Sequence, residues 1–325
     1  MSRALTVTWI LPVRHRNVDR MPASVWIRCL QLLPYLERHG IRSVFDERPG
    51  VADVMIFVRR QDDAARALAC SARGWGARVV VDFCVNYFDD TGLTPGGYGV
   101  TARHVAEAHA MVEAADLVTA ASSFIASRAR TLHDRVEYVP DSVDRTHFNR
   151  TKVHDATAPL IAMWCGYSVK AAELEPILPL LAERSIPLMV VSDARPRLSI
   201  PFEFRRWRHA SAPADLIRGD VAVAPRDLDN RYNLGHSFFR IGVFLAQGVP
   251  VVAGPVPSYG EVLTPGENGL SCSSEMEWKV ALDALLADRS RLSAWSARAV
   301  QSMEPYWAAP VAARYAQLLH GLVDG

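Results

Sequence analysis

Asp220-Val-Ala-Val-Ala-Pro225 is a short apolar run that ends at a proline, and it opens the segment that decides the fold. A polar loop follows over residues 226–237, and apolar residues then recur at helical spacing from Phe238 to Gln247. The next run, Gly248-Val-Pro-Val-Val-Ala-Gly254, predicts a second buried strand. Together these runs predict one βαβ unit, whose loops lie at the carboxyl ends of parallel strands, where α/β proteins bind ligands. The start of the helix would also offer free N–H groups and a positive dipole end to an anion.

Strand and helix patterns alternate along the rest of the chain as well, which predicts the α/β class. We predict two Rossmann-like domains, residues 1–150 and 151–303, divided by a polar, irregular stretch, with a C-terminal helix within 304–325. No G-x-G-x-x-G motif follows the first strand, which argues against a dinucleotide-dependent dehydrogenase. The other predicted strands cover residues 4–11, 43–46, 52–58, 78–83, 116–120, 136–139, 160–165, 187–192 and 202–207.

Composition excludes several classes of protein. The formal net charge of the 325 residues is +1, which favours neither nucleic acid nor an anionic membrane surface as a partner. The five cysteines are scattered, predict no metal site and fit a reducing cytosol. No apolar run approaches the roughly 20 residues that a membrane span needs. We therefore expect a cytoplasmic protein without a membrane span, for which only peripheral membrane contact stays open.

The opening segment carries a resemblance to a known family. The run from Asn233 to Ala253 is similar to the donor-binding signature of retaining GT-B glycosyltransferases of the bacterial, family-4-like type. In that group N-x-x-K-S-x-x-K/R leads into a helix and then G-x-P-V-V-A. Asn233, Ser237 and Arg240 match this pattern, whereas His236 stands where lysine is usual.

Other segments match the same family in the expected order, so the resemblance covers nearly the whole chain. Ala115 to Ser122 matches A-D-L-V-x-x-x-S, and Val139 to Phe148 matches V-P-N/D-G/S-V-D-x-x-x-F at the end of the first domain. Gly260-Glu261 and the run from Gly266 to Leu270 match the G…E and G-x-N-G-L that follow the helix. The acidic residue that holds the donor ribose in such enzymes falls instead at Val243.

The resemblance implies the GT-B fold: two Rossmann-like domains with a cleft between them and a C-terminal helix that crosses back to the first domain. It also implies a glycosyltransferase that moves a sugar from a nucleotide-sugar donor to a glycan, a lipid-linked saccharide or a small natural product. The transfer would retain the anomeric configuration and need no metal or other cofactor. Without a metal, helix N-termini and basic side chains must stabilise the charge on the leaving diphosphate.

The candidate site residues follow from these matches and from the polar loops. The catalytic candidates are Asp82, Lys170 and Arg240. The candidate donor-binding residues are Ser168, Trp207, Asn233, His236, Ser237, Tyr259, Gly260 and Glu261. The first domain would contribute Arg14, Arg16, Asn17 and Asn86 on the acceptor side.

Ordinary structural roles stay open for several of these residues. Lys170 could be a solvated lysine, Asp82 could brace its loop, and Trp207 could pack at the rim of a cleft. Glu261 could stabilise a helix N-terminus. At the level of function, the alternative is a non-catalytic GT-B-like binding or scaffold protein, which the loss of the acid at Val243 favours. A nucleotide-sugar epimerase or an inverting transferase is a third interpretation.

Overall fold

The computed structural model describes residues 3–13, 17–48, 50–94 and 97–324. The first half of the chain forms a six-stranded parallel sheet in the order β2-β1-β3-β4-β7-β8, with a short antiparallel hairpin, β5-β6, beside it. Its elements are β1 (Leu5–Ile10), α1 (Ala23–Val25), α2 (Leu33–Glu37), β2 (Ile41–Val44), β3 (Val54–Val58), α3 (Asp63–Gly74), β4 (Arg78–Phe83), β5 (Gly92–Leu93), β6 (Gly99–Val100), α4 (Ala102–Ala114), β7 (Leu117–Ala120), α5 (Ser123–Ala129) and β8 (Val136–Tyr138).

The second half forms another six-stranded parallel sheet, in the order β11-β10-β9-β12-β13-β14. No helix or strand occupies residues 139–161, the stretch that connects the two sheets. The elements of the second half are β9 (Ala162–Cys165), α6 (Leu178–Glu183), β10 (Leu188–Ser192), β11 (Glu203–Arg206), α7 (Ala212–Leu216), β12 (Val221–Ala224), α8 (Arg231–Leu234), α9 (Phe239–Leu245), β13 (Val251–Ala253), β14 (Gly269–Ser271), α10 (Glu275–Ala287), α11 (Ser290–Ser302) and α12 (Ala308–Asp324).

The central strands are apolar along their whole length because helices cover both faces of each sheet. Every residue of β3 and of β12 is buried. In the second domain, α9 packs Ile241, Val243 and Phe244 into one core cluster, while Trp164 on β9 lies in the cluster on the opposite face. The two parallel sheets confirm the predicted α/β class.

Two predicted helices are broken at prolines. The pattern over residues 24–39 predicts a helix with a kink or an early break at Pro34, and the structure has such a break: α1 continues as a single π-helical turn, Trp26–Leu30, and α2 begins with Pro34 in its first turn. The helix predicted from residue 171 to 184 is instead a 3₁₀ segment, Ser168–Ile177, followed by α6. Proline lacks an N–H and clashes with the preceding turn of an α-helix, and α2 and α6 accordingly each have a proline in the first turn.

The last helix returns to the first domain. Val143 and Trp307 form an isolated bridge at the crossing, and α12 then packs on the first sheet, where the Tyr315 and Trp9 ring centroids are 6.3 Å apart. Among the described residues, no helix is both long enough and apolar enough to cross a bilayer.

The strand order locates the crevice in which a ligand would bind. In an open parallel sheet, ligands bind outside the carboxyl ends of the strands where the strand order reverses. In the second sheet this point lies between β9 and β12, and the loops after these strands carry Lys170 and Arg226. In the first sheet it lies between β1 and β3, and Arg59 follows β3 directly.

Candidate functional site

Three basic side chains of the second domain gather around one carboxylate at this point. Arg226 Nη1 donates to both carboxylate oxygens of Glu173, at 2.7 and 3.0 Å. Arg240 Nη1, from the first turn of α9, donates to Glu173 Oε2 at 2.9 Å. Lys170 is buried beside them. Within the part of the chain that the structure describes, Glu173 is the only carboxylate in ion-pair contact with any of these three cations.

The ionisation of this group reflects its excess of positive charge. Burial is the main cause that holds the pKa of the Lys170 ammonium well below its usual value, and repulsion from Arg226 and Arg240 adds to it. Burial opposes the ionisation of Glu173, but Arg226 and Arg240 outweigh it, so the pKa of the carboxyl lies below its usual value. Glu173 is therefore ionised near neutrality, while Lys170 gives up its proton more readily than a free lysine.

His236 is a hydrogen-bond acceptor for Lys170. The His236 Nδ1 atom lies 3.0 Å from the Tyr232 carbonyl, which can only accept, so Nδ1 carries the proton. Nε2 is then unprotonated and faces Lys170 Nζ at 2.8 Å. Burial, followed by repulsion from Lys170, holds the pKa of His236 well below its usual range. A neutral imidazole thus holds the ammonium in place without adding charge.

Arg240 lies in a narrow space between aromatic and backbone surfaces. Its guanidinium carbon is 5.3 Å from the centre of the Trp164 ring. A Cβ atom added at Gly166 would lie 2.8 Å from Trp164 and 3.1 Å from Arg240 Nη2. Any side chain at Gly166 would therefore displace the ring or the guanidinium, so glycine is needed at the start of this loop.

A tyrosine of the first domain lies beside Lys170. Tyr98, which lies next to β6, and Tyr232 of the second domain place their ring centres 5.2 and 4.9 Å from Lys170 Nζ. The faces of tyrosine rings attract cations, so both rings favour the charged lysine. Residues of both domains therefore build the surroundings of Lys170.

Asn86, predicted on the acceptor side, is buried at the contact between the domains. Its Nδ2 atom donates to Asp89 Oδ2 at 2.9 Å and to the Arg231 carbonyl at 3.2 Å. A Cβ atom added at Gly235 would lie 2.4 Å from the Asn86 Cβ, so the second domain approaches this residue through bare backbone. Asn86 braces the two domains in this arrangement.

Asp82, predicted as a catalytic candidate, has its carboxylate fully engaged inside the first domain. Arg28 Nε and Nη2 donate to its two oxygens at 3.0 and 2.6 Å, and Thr119 Oγ1 donates at 2.7 Å. The side chain is 2% exposed. This geometry is that of the bracing role, the alternative that the sequence left open, because the carboxylate is paired with Arg28 and almost fully buried.

The start of α9 meets a serine hydroxyl and, beyond it, a carboxylate of the first domain, rather than the free anion site expected there. The Ser237 hydroxyl accepts a hydrogen bond from the Phe239 N–H at 3.3 Å and donates to Asp141 of the first domain. The helix end faces the other domain, but a carboxylate stands in front of it. The positive charge near the crevice therefore comes from the basic side chains rather than from this helix end.

Glu261 links the two domains. Its carboxylate accepts hydrogen bonds from Ser123 Oγ at 2.9 Å and from the Tyr138 hydroxyl, both in the first domain. Gly260, beside it, is exposed. Tyr259 is buried, with its hydroxyl 3.4 Å from Arg226 Nε.

The remaining candidates lie outside this group of contacts or serve the fold. Asn233 is buried and donates to the Asp227 carbonyl at 2.8 Å. The Ser168 N–H donates to Asp193 Oδ1 at 2.7 Å. Trp207 is half-buried against the core of the second domain. Asn17 is exposed, and Arg14 and Arg16 lie outside the described residues.

Val243 shows why no acid occurs at the expected position. Its side chain is 3% exposed within the core cluster formed by α9 and the second sheet. A carboxylate there would be buried without a partner, which is strongly unfavourable.

The sequence patterns did not predict a place in the site for Arg226 or Glu173. Arg226 could have been found, because it directly follows the proline that ends the strand before the crevice. Glu173 gave no comparable signal. Among the described residues, no group of three or more histidines, cysteines or acids is arranged to hold a metal ion.

Comparison with known proteins identifies the fold. No protein-family model and no curated protein sequence matches the chain. Among solved structures, sucrose-phosphate synthase from Thermosynechococcus elongatus matches with a TM-score of 0.71 at 12% identity, over 98% of this chain and 99% of that one. A glycosyltransferase from Rickettsia africae matches with a TM-score of 0.69 at 11% identity, over the whole of both chains.

A third solved structure, Alr3699/HepE from Anabaena in complex with UDP, matches with a TM-score of 0.68 at 11% identity, over 98% of this chain and 100% of that chain. At these identities the likeness concerns the fold, and it confirms the one that the sequence predicts. The chain has the GT-B fold, the architecture of two facing Rossmann-like domains that these three proteins share.

Proposed function

We propose that this protein is a glycosyltransferase that moves a sugar from a nucleotide-sugar donor to an acceptor hydroxyl. The observation that carries the proposal is the cation-rich group at the strand-order switch of the second domain. Arg226 and Arg240 pair with the carboxylate of Glu173, and Lys170 lies buried close by, in contact with His236. The HepE structures, solved with UDP and with UDP-glucose, support a donor of this chemical class for the same fold.

Charge is the first argument for a diphosphate. Three cations and one carboxylate leave an excess of two positive charges when Lys170 is protonated, and the diphosphate of a nucleotide sugar carries two negative charges. Buried cations without partners are unfavourable, so an anion that pairs with them gains more here than on an exposed surface. The lowered pKa of Lys170 expresses the same imbalance in the free protein.

The reaction requires that the departing diphosphate be stabilised as its charge grows. Lys170 and Arg240 lie at the carboxyl ends of β9 and at the start of α9, where the leaving group would lie against them. In our proposal the transfer retains the anomeric configuration and needs no metal, because basic side chains stabilise the charge of the leaving diphosphate. The leaving phosphate itself takes the proton of the acceptor hydroxyl. Asp82 then needs no role as a base, in keeping with its pairing to Arg28.

The acceptor side is proposed at the level of class. The first domain would bind a glycan, a lipid-linked saccharide or a small natural product opposite the donor. Arg59, which follows β3, faces the crevice closely enough to lower the pKa of Lys170. We place the protein in the cytoplasm, where nucleotide sugars are made.

Isothermal titration calorimetry with UDP, GDP, ADP and TDP tests the donor site. We expect one of the four to bind and to raise the melting temperature. At a hundredfold excess over Kd, the ligand adds about 2.7 kcal/mol to the stability of the native state. If all four fail to bind, the proposal is wrong.

A non-catalytic GT-B binding protein is the second candidate, and the burial of Val243 is the observation that favours it. Such a protein would bind the nucleotide but would not turn over a nucleotide sugar. Slow hydrolysis of the matching nucleotide sugar, followed by release of the nucleoside diphosphate, separates the two candidates. Release above the rate in buffer alone supports the enzyme.

A further inference from the structure

Glu173 is a buried carboxylate that pairs with two arginines at once. It lies on the 3₁₀ segment that follows the β9 loop, and its side chain is 5% exposed. Both carboxylate oxygens accept from Arg226, and one of them also accepts from Arg240. One carboxylate thus fixes two guanidinium groups that arrive from different elements of the fold.

Neither arginine has a comparable second partner among the described contacts. Arg226 reaches Asn233 Oδ1 and the Tyr259 hydroxyl only at 3.4 Å, which is long for a hydrogen bond to a charged group. Arg240 has the face of Trp164 and the edge of Gly166 beside it, which limit its tilt but do not fix its rotation. Glu173 therefore sets the direction in which the remaining N–H groups of Arg240 point.

We propose that Glu173 is a positioning residue of the donor site. By accepting from both Arg226 and Arg240, it holds the guanidinium of Arg240 in the direction of the nucleotide's diphosphate. This inference rests on the proposed function and adds to it an acidic residue inside an anion-binding group. A carboxylate reduces the attraction of this site for an anion. Its presence is explained if the fixed direction of Arg240 contributes more than the lost charge, since preorganised donors need no rearrangement on binding.

The two possible roles of Glu173 predict opposite results for Glu173→Gln. If the carboxylate only offsets charge, its removal makes the site more positive and the nucleoside diphosphate binds more tightly. If it positions Arg240, the amide offers one acceptor oxygen in place of two and turns an N–H donor toward a guanidinium, so at least one of the three contacts is lost and the nucleotide binds more weakly. We expect the affinity to fall by about tenfold, the size of one lost hydrogen bond to a charged group.

The experiment uses the full chain and whichever of UDP, GDP, ADP or TDP binds the wild type most tightly. Glu175→Gln is the matched control, because it removes the same charge two residues away, where Glu175 is exposed and accepts a hydrogen bond from Ser199. Titration calorimetry gives the affinities, and thermal unfolding without ligand reports whether each variant is folded. If Glu173→Gln does not fold, Glu173→Asp keeps the charge and shortens the reach. A weaker nucleotide in that variant supports positioning, and unchanged affinity overturns it.

The pH profile supplies a readout that a purely structural role would not move. The carboxylate favours the charged form of Lys170, so its loss should shift the alkaline decline of nucleotide binding in Glu173→Gln to lower pH. If the wild type binds a nucleoside diphosphate and Glu173→Gln binds it equally or more tightly, this inference is overturned while the proposed function stands. A wild type that binds none of the four nucleotides overturns both.

Discussion

Two buried clusters of arginine and carboxylate, one in each domain, differ in the balance of their charges. In the first domain Arg28 contacts both oxygens of Asp82, Asp141 Oδ1 at 3.0 Å and the Val139 carbonyl at 2.7 Å. One cation there faces two carboxylates. In the second domain two arginines pair with one carboxylate, Glu173, and a third cation, Lys170, lies buried near them.

This difference in charge balance suggests a structural role for the first cluster and a ligand-binding role for the second. The first cluster has surplus acid, and it relieves this surplus internally: burial is the main cause that raises the pKa of Asp141, and Ser237 donates to its second oxygen. The second cluster has surplus cation and meets it in part by depressing the pKa of Lys170. Burial alone marks neither cluster as functional; the unbalanced positive charge in a crevice is what points to an anionic ligand.

The largest expected effect tests the brace. Arg28→Leu leaves two buried carboxylates without their cation, and we expect the free energy of unfolding to fall by about 3–5 kcal/mol. Urea-induced unfolding followed by circular dichroism measures it. Arg103→Leu is the control, since Arg103 is exposed on α4 and pairs with Glu107 on the same helix. A loss for Arg28→Leu as small as that of the control would show that the cluster does not stabilise the fold.

The next effect tests the binding site. Arg240→Ala removes a donor to the diphosphate, and we expect nucleotide binding to weaken by about 1.5–3 kcal/mol, the range for hydrogen bonds to charged groups. Titration calorimetry with the best nucleoside diphosphate measures it, with Arg103→Ala as the control for loss of one positive charge. An unchanged affinity would remove Arg240 from the site.

The smallest expected effect is a pH dependence of nucleotide binding, which tests the excess of positive charge around Lys170. The free protein lowers the pKa of Lys170, and a bound diphosphate would raise it again, so binding should take up protons between these two pKa values. The sign follows: affinity is highest below the pKa of the free form and falls as pH rises through it, by at most about tenfold for each pH unit.

Calorimetry in two buffers of different ionisation enthalpy measures the protons taken up by the wild type. In Lys170→Met the uptake should disappear, and a variant that keeps it would place the titrating group elsewhere. Lys279→Met is the matched control, because Lys279 lies on α10 in contact with Glu275, outside the crevice.

The sequence pattern was accurate where local rules decide the structure. Residues 78–83 form β4, as predicted, because an apolar run and its ends are local features. The pattern was wrong for residues 171–184, which form a 3₁₀ segment containing Pro176 and then α6, since the periodicity of apolar residues does not register the missing N–H of a proline. The division at residues 150 and 303 remains a prediction.

For the site, the sequence indicated the region but not the partners. Lys170 and Arg240 were singled out from their loops and motif, and the structure brings both to Glu173 or its neighbours. Asp82 lies at the end of a strand, as many catalytic acids do, yet its partner Arg28 is 54 positions away in the chain. No pattern along one strand or helix reveals which distant charge will meet it.

The sequence by itself determined two parallel sheets and the loops that stand at their carboxyl ends, because the alternation of apolar runs with helical spacing is a local property of the chain. Only the tertiary structure decided which charges pair and which are left in excess. Lys170 meets His236 across 66 positions, and Arg226 meets Glu173 across 53. Such pairing depends on how separate elements pack, and it is the sum of charges after packing that distinguishes a crevice ready for an anion from a cluster that holds the fold together.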